Sequence, residues 1–120
     1  MPLAPRILVI SDEQWPRALL RAQLDEAGYD AVGVETIAAA LDQPIEDPNR
    51  GPVRLVLVDS GFVAVEIEAL EEARKRFTDI PFVVVHPAGA IPPGRWAATL
   101  QRPVAIGDVV EMVRRLVPVP

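Results

Sequence analysis

The sequence contains no cysteine, a single lysine (Lys75), a single histidine (His86) and no long apolar run at its amino terminus. The absence of cysteine excludes disulfide bonds and thiolate chemistry. Residues 1–10 carry no apolar stretch long enough for a signal peptide or a membrane span. With a net charge of −5, the chain also lacks the basic surface that nucleic-acid binding requires. These absences predict a cytoplasmic protein with no nucleic-acid partner and no membrane partner.

The length and composition predict one folded domain that spans residues 1–120. Half of the residues are apolar, which is enough to form a hydrophobic core in a chain of 120 residues. No glycine-rich phosphate loop follows any apolar run, and the patterns G-x-G-x-x-G and G-K-[ST] are absent. A small-molecule or cofactor-binding protein is therefore the weakest of the functional hypotheses.

Short aliphatic runs alternate with segments of helical periodicity along the chain. The aliphatic runs predict five strands, at Arg6–Ile10, Ala31–Val34, Arg54–Asp59, Phe82–His86 and Thr99–Arg102. The periodic segments predict four helices, at Trp15–Ala27, at Ile37–Leu41, along the face of Ile67, Leu70, Ala73 and Phe77, and from Ile106 to Leu116 or Val117. Gly28 is predicted to end the first helix, and Thr36 to cap the second. This alternation predicts a parallel α/β sheet that has helices on both faces.

Polar side chains stand where the predicted strands end. Asp12 follows the first strand, Asp59 ends the third, His86 ends the fourth and Arg102 ends the fifth. In a sheet of order 2-1-3-4-5 the first and third strands are neighbours, so Asp12 and Asp59 are expected to approach each other. Two adjacent carboxylates repel, and a hard cation such as Mg²⁺ relieves that repulsion. The carboxyl edge of the sheet is therefore the predicted site.

In this order, these residues resemble the receiver domain of two-component response regulators, over nearly the whole chain. The resemblance is carried by five segments, ILVISDE, LVLVDSG, IPFVVVHPAG, LQRPV and IGDVVEMVRRL. It implies a flavodoxin-like three-layer α/β fold and a signalling domain rather than an enzyme. It also implies a histidine kinase or phosphotransfer protein as one partner, and a downstream protein as another.

The resemblance implies a role for several residues. Asp59 would accept a phosphoryl group, Asp12 would bind Mg²⁺ together with Asp59, and Gly61 would lend its backbone carbonyl to the ion. His86 takes the position of the family's Thr or Ser switch residue, and Arg102 takes the position of its lysine. These five residues form the predicted site, in which Asp59, His86 and Arg102 carry the phosphoryl chemistry.

The sequence also departs from the family pattern. Ser11 stands where the family has the first of two acids, and arginine is bulkier than lysine, with a different reach. The segment from His86 to Arg102 is short, and its prolines and glycines predict that the fourth helix of the family is missing or vestigial. The role of the proline-rich loop 87–94 is left open.

These departures leave two functional interpretations. The first is a stand-alone receiver in a phosphorelay, phosphorylated on Asp59. The alternative is a pseudo-receiver, a protein-interaction module that works without phosphorylation and in which Arg102 pairs with Asp59 or Asp12.

Three structural points stay open in the sequence. The bond between Arg102 and Pro103 is expected to be able to adopt the cis form. Trp96 either fills the space of the missing helix or contacts a partner, and a homodimer is possible.

Overall fold

The computed structural model describes residues 3–59, 66–87, 91 and 94–119. Within these residues the chain forms five strands and four helices in strict alternation, except that two strands follow each other near the end. In chain order they are β1 (Arg6–Ile10), α1 (Gln14–Glu26), β2 (Asp30–Val34), α2 (Ile37–Ala40), β3 (Val53–Asp59), α3 (Ile67–Arg76), β4 (Phe82–His86), β5 (Ala98–Gln101) and α4 (Ile106–Leu116).

The five strands form one sheet in the order β2-β1-β3-β4-β5, and every neighbouring pair is parallel. The predicted fold is thereby confirmed. The central strands β1, β3 and β4 are aliphatic on both sides, because helices cover both faces of the sheet. One core cluster joins the sheet to α1 and α4, and the other joins it to α2 and α3. Burial of each of these aliphatic side chains stabilises the folded state by about 1.5–3 kcal/mol relative to exposure in water.

Local signals set the helix ends. The chain turns after α1 at Gly28, whose φ of +103° is a conformation that favours glycine. The hydroxyl of Thr36 accepts a hydrogen bond from the backbone N–H of Ala39 at 3.0 Å and caps α2. Both residues act as the sequence predicts, and the helices differ from the predicted bounds by about one residue.

The fifth strand is shifted by one residue from its prediction. It ends at Gln101 rather than at Arg102, so Arg102 begins the connection to α4. The side chains of β5 alternate between half-buried and exposed, because the strand lies at the edge of the sheet. An edge strand of this kind gives a weaker apolar signal than the central strands.

The connection between β4 and β5 contains no helix among the residues described there, which are Pro87, Ile91 and the segment 94–97. Trp96 packs against the core cluster formed with α2 and α3, which agrees with the space-filling role, one of the two considered for it. The remaining residues of the loop 87–94 lie outside the described part of the chain. In that described part, no helix combines the length and the apolar character that crossing a bilayer requires.

Candidate functional site

The site lies at the carboxyl edge of the sheet, where β1 and β3 run side by side. The register pairs Ile10 with Val58, so the next residues along the two strands, Ser11 and Asp59, stand beside each other. Both are buried among polar neighbours at the end of an aliphatic sheet. The parallel arrangement of the strands is what brings side chains from distant parts of the sequence to this edge.

Both carboxylate oxygens of Asp59 are engaged. The hydroxyl of Ser11 donates a hydrogen bond to Oδ2 at 2.9 Å, and Oδ1 forms an ion pair with Nη2 of Arg102. Asp59 is only 3% exposed. A buried carboxylate needs a compensating charge and hydrogen bonds; Arg102 supplies the charge, and Ser11 supplies a hydrogen bond.

Arg102 is placed by the end of the sheet. Its backbone N–H donates to the carbonyl of His86 at 2.8 Å, and its bond to Pro103 is cis, a form that the sequence allows. The side chain is 36% exposed, so water reaches part of the guanidinium while its inner edge contacts Asp59. The sequence-predicted residues Asp59 and Arg102 are therefore brought into contact.

A small pocket of about 90 Å³ opens beside this ion pair. Asp59 and Arg102 are the charged residues of its described lining, and the other lining side chains are apolar, namely Pro16, Leu20, Val85, Val104, Ile106 and Val109. Trp15 and Leu19 precede two of these residues on α1, and Trp15 is 75% exposed. Apart from the ion pair, the described lining of this pocket is thus apolar.

Ser11 is the site residue whose role the sequence did not reveal. It is fully buried, its Oγ accepts from the backbone N–H of Glu13 at 3.3 Å, and its carbonyl accepts from Nη1 of Arg17 at 2.7 Å. The available signal was a hydroxyl residue at the position where the resemblance expects an acid. With its hydrogen bond to Asp59, Ser11 fixes the carboxylate from the β1 side.

Asp12 does not take part in this contact. It is exposed, and it forms no hydrogen bond or ion pair with the residues that the structure describes. Gly61, the other predicted contributor to a metal site, lies outside the described residues. The described hydrogen bonds and ion pairs of Asp59 therefore come from Ser11 and Arg102 and do not involve Asp12.

The described side chains supply only part of the oxygen ligand set that a magnesium ion takes, and water or backbone carbonyls would have to supply the rest. Mg²⁺ takes an octahedral set of oxygen ligands. At this edge Ser11 replaces a carboxylate, and Asp59 already faces a guanidinium and a hydroxyl. Among the residues described, no three His, Cys, Asp or Glu side chains lie close enough together to hold a metal. Among the described residues, Arg102 is the cation that pairs with Asp59.

His86 lies at the end of β4 and is buried. Its Nδ1 is 2.8 Å from the carbonyl oxygen of Pro87, and because a carbonyl only accepts, Nδ1 donates in this contact. Its ring makes no hydrogen bond to Asp59 or to Arg102. The structure thus has His86 in the packed, hydrogen-bonded arrangement that is usual for a single buried histidine.

No protein-family model and no curated protein matches this sequence. Solved structures do match it. A response regulator from Thermotoga maritima superposes with a TM-score of 0.73 at 14% identity, covering 96% of this chain and 98% of that one. The chain has the receiver fold. The non-phosphorylated HemR receiver domain from Leptospira biflexa is similar with a TM-score of 0.75 at 20% identity, covering 97% of this chain and 96% of that one.

A third receiver fold, the CheY-like response regulator receiver domain protein from Methanospirillum hungatei, has a TM-score of 0.75 at 20% identity. It covers 93% of this chain and 92% of its own. The receiver fold therefore accounts for almost the whole length of both proteins in each of these comparisons. At these identities the likeness establishes the fold, and the chemistry must be argued from the residues of this chain.

Proposed function

We propose that this chain is a receiver-type signalling module that acts by binding a protein partner, while Asp59 is held by Arg102 and Ser11 without being phosphorylated. The observation that carries this proposal is the engagement of both oxygens of Asp59. A carboxylate that attacks phosphorus needs a free oxygen in line with the leaving group. Here one oxygen accepts a hydrogen bond from the Ser11 hydroxyl and the other faces the Arg102 guanidinium, so the resting site opposes that attack.

The charge balance supports the same proposal. The guanidinium of Arg102 neutralises the charge of the Asp59 carboxylate. The site therefore needs no divalent cation to hold its buried carboxylate. The partner is a protein rather than a nucleic acid, since the net charge is −5 and the surface beside the site presents Trp15 at 75% exposure.

The second candidate is the phosphorelay receiver, with Asp59 as phosphoacceptor and a histidine kinase or phosphotransfer protein as donor. One observation favours it: a pocket of about 90 Å³ adjoins Asp59, and the Arg102 side chain is exposed enough to swing aside. In this case Asp12, Asp59 and Gly61 would have to hold Mg²⁺ after Arg102 had moved.

Intact-mass spectrometry separates the two candidates. The protein is incubated with acetyl phosphate, with and without Mg²⁺, beside the variants Asp59→Asn and Arg102→Lys. Our proposal predicts no phosphoryl adduct on the unmodified chain. A magnesium-dependent adduct that disappears in Asp59→Asn would reject it and establish the phosphorelay receiver.

The variant Arg102→Lys tests whether the guanidinium of Arg102 is what prevents phosphorylation of Asp59. Lysine keeps the charge, but it lacks the fork of the guanidinium and is more compact. If Arg102 is what obstructs Asp59, Arg102→Lys should accept phosphate that the unmodified chain does not. Equal labelling of the two proteins would show that the guanidinium is not the obstacle.

A further inference from the structure

A large groove lies at the amino edge of the sheet, at the opposite end of the strands from Asp59. It has a volume of about 610 Å³ and runs between the end of α3, the start of β4 and the segment before β5. The residues around it are Arg74, Phe77, Asp79, Phe82, Arg95 and Trp96, with Thr78, Ile80, Pro81 and Ala97 completing the described lining. The groove thus combines two arginines with an apolar floor.

Arg74 is held in the groove by aromatic rings. Its guanidinium carbon lies 4.7 Å from the ring centre of Phe82 and 4.6 Å from that of Trp96. The Nε and Nη2 atoms are buried and have no hydrogen-bond partner, and burial lowers the pKa of Arg74. Gly94 lies so close that a Cβ on it would be 3.0 Å from Nη2. The cation is therefore fixed in place and incompletely compensated.

The charges of the groove are unbalanced. Neither Arg74 nor Arg95 forms an ion pair or hydrogen bond with another residue that the structure describes, and Arg95 is exposed. Asp79 is the one acid in the described lining. In a chain whose net charge is −5, this edge therefore carries an excess of positive charge. Electrostatic complementarity predicts an anionic occupant.

The shape of the surface favours an extended occupant over a small ion. A second groove of about 510 Å³ shares Asp79, Ile80 and Pro81 with the first and continues past Arg54. Its other lining residues are mainly apolar. Two adjoining grooves of this size, with cationic positions separated by apolar ones, suit a peptide in which acidic and apolar residues are mixed.

We propose that the amino-edge groove, defined by Arg74, Arg95 and Trp96, binds an acidic segment of a protein partner. A carboxylate of the segment would pair with Arg95 and reach the outer edge of Arg74, while its apolar side chains would lie on Trp96. This inference rests on the proposed function in one respect, namely that the chain acts by binding a protein. It does not depend on the state of Asp59, which lies at the other edge of the sheet.

A peptide titration tests the proposal. The variant Trp15→Phe leaves Trp96 as the sole tryptophan, so that its fluorescence reports on the groove. The probes are a library of ten-residue peptides that mix Glu or Asp with Leu, and the same peptides with Gln or Asn in place of the acids. We expect acidic peptides to change the Trp96 emission saturably, and the neutral counterparts to leave it unchanged.

Substitutions in the same background locate the binding. Arg95→Gln, at an exposed position that should tolerate the change, is expected to weaken binding about tenfold, since it removes a charge-assisted contact. Arg115→Gln, an exposed arginine on α4, is the matched control and should bind as the parent does. Equal binding by Arg95→Gln, or no response to any acidic peptide, would overturn the proposal.

Two further measurements separate other occupants and other failures. ATP and inorganic phosphate are titrated in the same way. If either of them binds with an affinity equal to that of the best peptide, as judged by the Trp96 emission, the groove is a small-anion site and the peptide proposal is wrong. The titration is repeated with Asp59→Asn, for which we expect unchanged affinity. Peptide binding together with a phosphoryl adduct on Asp59 would reject the proposed function and keep the groove. Absence of both would reject the groove alone.

Discussion

Replacing Arg102 by glutamine tests whether the ion pair with Asp59 holds the carboxyl edge together. Asp59 is 3% exposed, whereas the Arg102 side chain is 36% exposed, so the two partners lose different amounts of hydration in the fold. Removing Arg102 leaves a buried carboxylate with the hydroxyl of Ser11 as its remaining described donor. We expect the free energy of unfolding to fall by about 1–3 kcal/mol, the cost of an uncompensated buried acceptor.

This magnitude lies between two limits. A fully exposed ion pair is worth about 0–1 kcal/mol, and breaking a fully buried one costs about 3–5 kcal/mol. The reverse variant, Asp59→Asn, leaves a cation that can turn toward water, so it should cost less than about 1 kcal/mol. The structure therefore predicts an asymmetry, in which loss of the arginine is more harmful than loss of the acid.

Urea unfolding followed by circular dichroism measures both variants and the double variant Asp59→Asn/Arg102→Gln. Because the double variant removes the stranded carboxylate, it should recover part of the loss, with a coupling energy of about 1–2 kcal/mol. The control is Arg114→Gln, whose pair with Glu111 at 3.1 Å is half exposed on both sides and should matter by less than about 0.5 kcal/mol. Equal losses in the two single variants, or simple additivity, would refute the reasoning.

Three further predictions concern stability. Burial raises the pKa of Tyr29, so at alkaline pH the folded chain keeps a proton that the unfolded chain releases. The free energy of unfolding should therefore decline as the pH rises above about 10, the usual pKa of tyrosine. Tyr29→Phe should abolish that decline in unfolding experiments at a series of alkaline pH values. Thr36→Ala, which removes the acceptor for the Ala39 N–H, should cost about 1 kcal/mol in urea unfolding, whereas Thr36→Ser should cost little. Gly28→Ala should cost about 1–2 kcal/mol by the same assay, because φ is +103° there and the new Cβ would lie 3.0 Å from Val119; an unchanged midpoint would contradict this.

The sequence was sufficient to predict the sheet because its central strands are unbroken aliphatic runs with polar ends. Arg6–Ile10 and Phe82–His86 have the predicted bounds. At β5 the prediction was one residue late, since an edge strand with alternating exposure has no continuous apolar signal. The order of the strands followed from the alternation of strands and helices together with the resemblance.

For the site, the sequence predicts only which residues lie at the ends of the strands. Parallel strands bring Asp59 and Arg102 to one edge, and the sequence pattern shows this. The pattern does not show which atoms touch, so the hydrogen bond from Ser11 and the exclusion of Asp12 from the contact could not be foreseen. Those depend on side-chain rotamers and on the exact direction in which each strand ends.

Arg74 shows a different limit of sequence reasoning. Its neighbours on α3 are charged, and a charged helix face normally indicates a solvated surface. Here the guanidinium folds over Phe82 and under Trp96, because no helix covers this part of the sheet in the described residues. The informative signal was a tryptophan and a nearby glycine in the segment for which the sequence predicts a missing or vestigial helix.

The two arginines at opposite edges of the sheet differ in how strongly they can attract an anion. Arg102 is neutralised by Asp59, so the carboxyl edge offers an incoming anion little net attraction. Arg74 is stacked between rings, which stabilise a cation by roughly 0.5–2 kcal/mol without cancelling its charge, and it meets no carboxylate among the described residues. An aliphatic side chain at residue 74 would cover Phe82 equally well, but it would remove the positive charge that Arg74 brings to the groove. We therefore expect an acidic partner segment, as proposed above, to bind at the amino edge, away from the edge at which the resemblance places the chemistry.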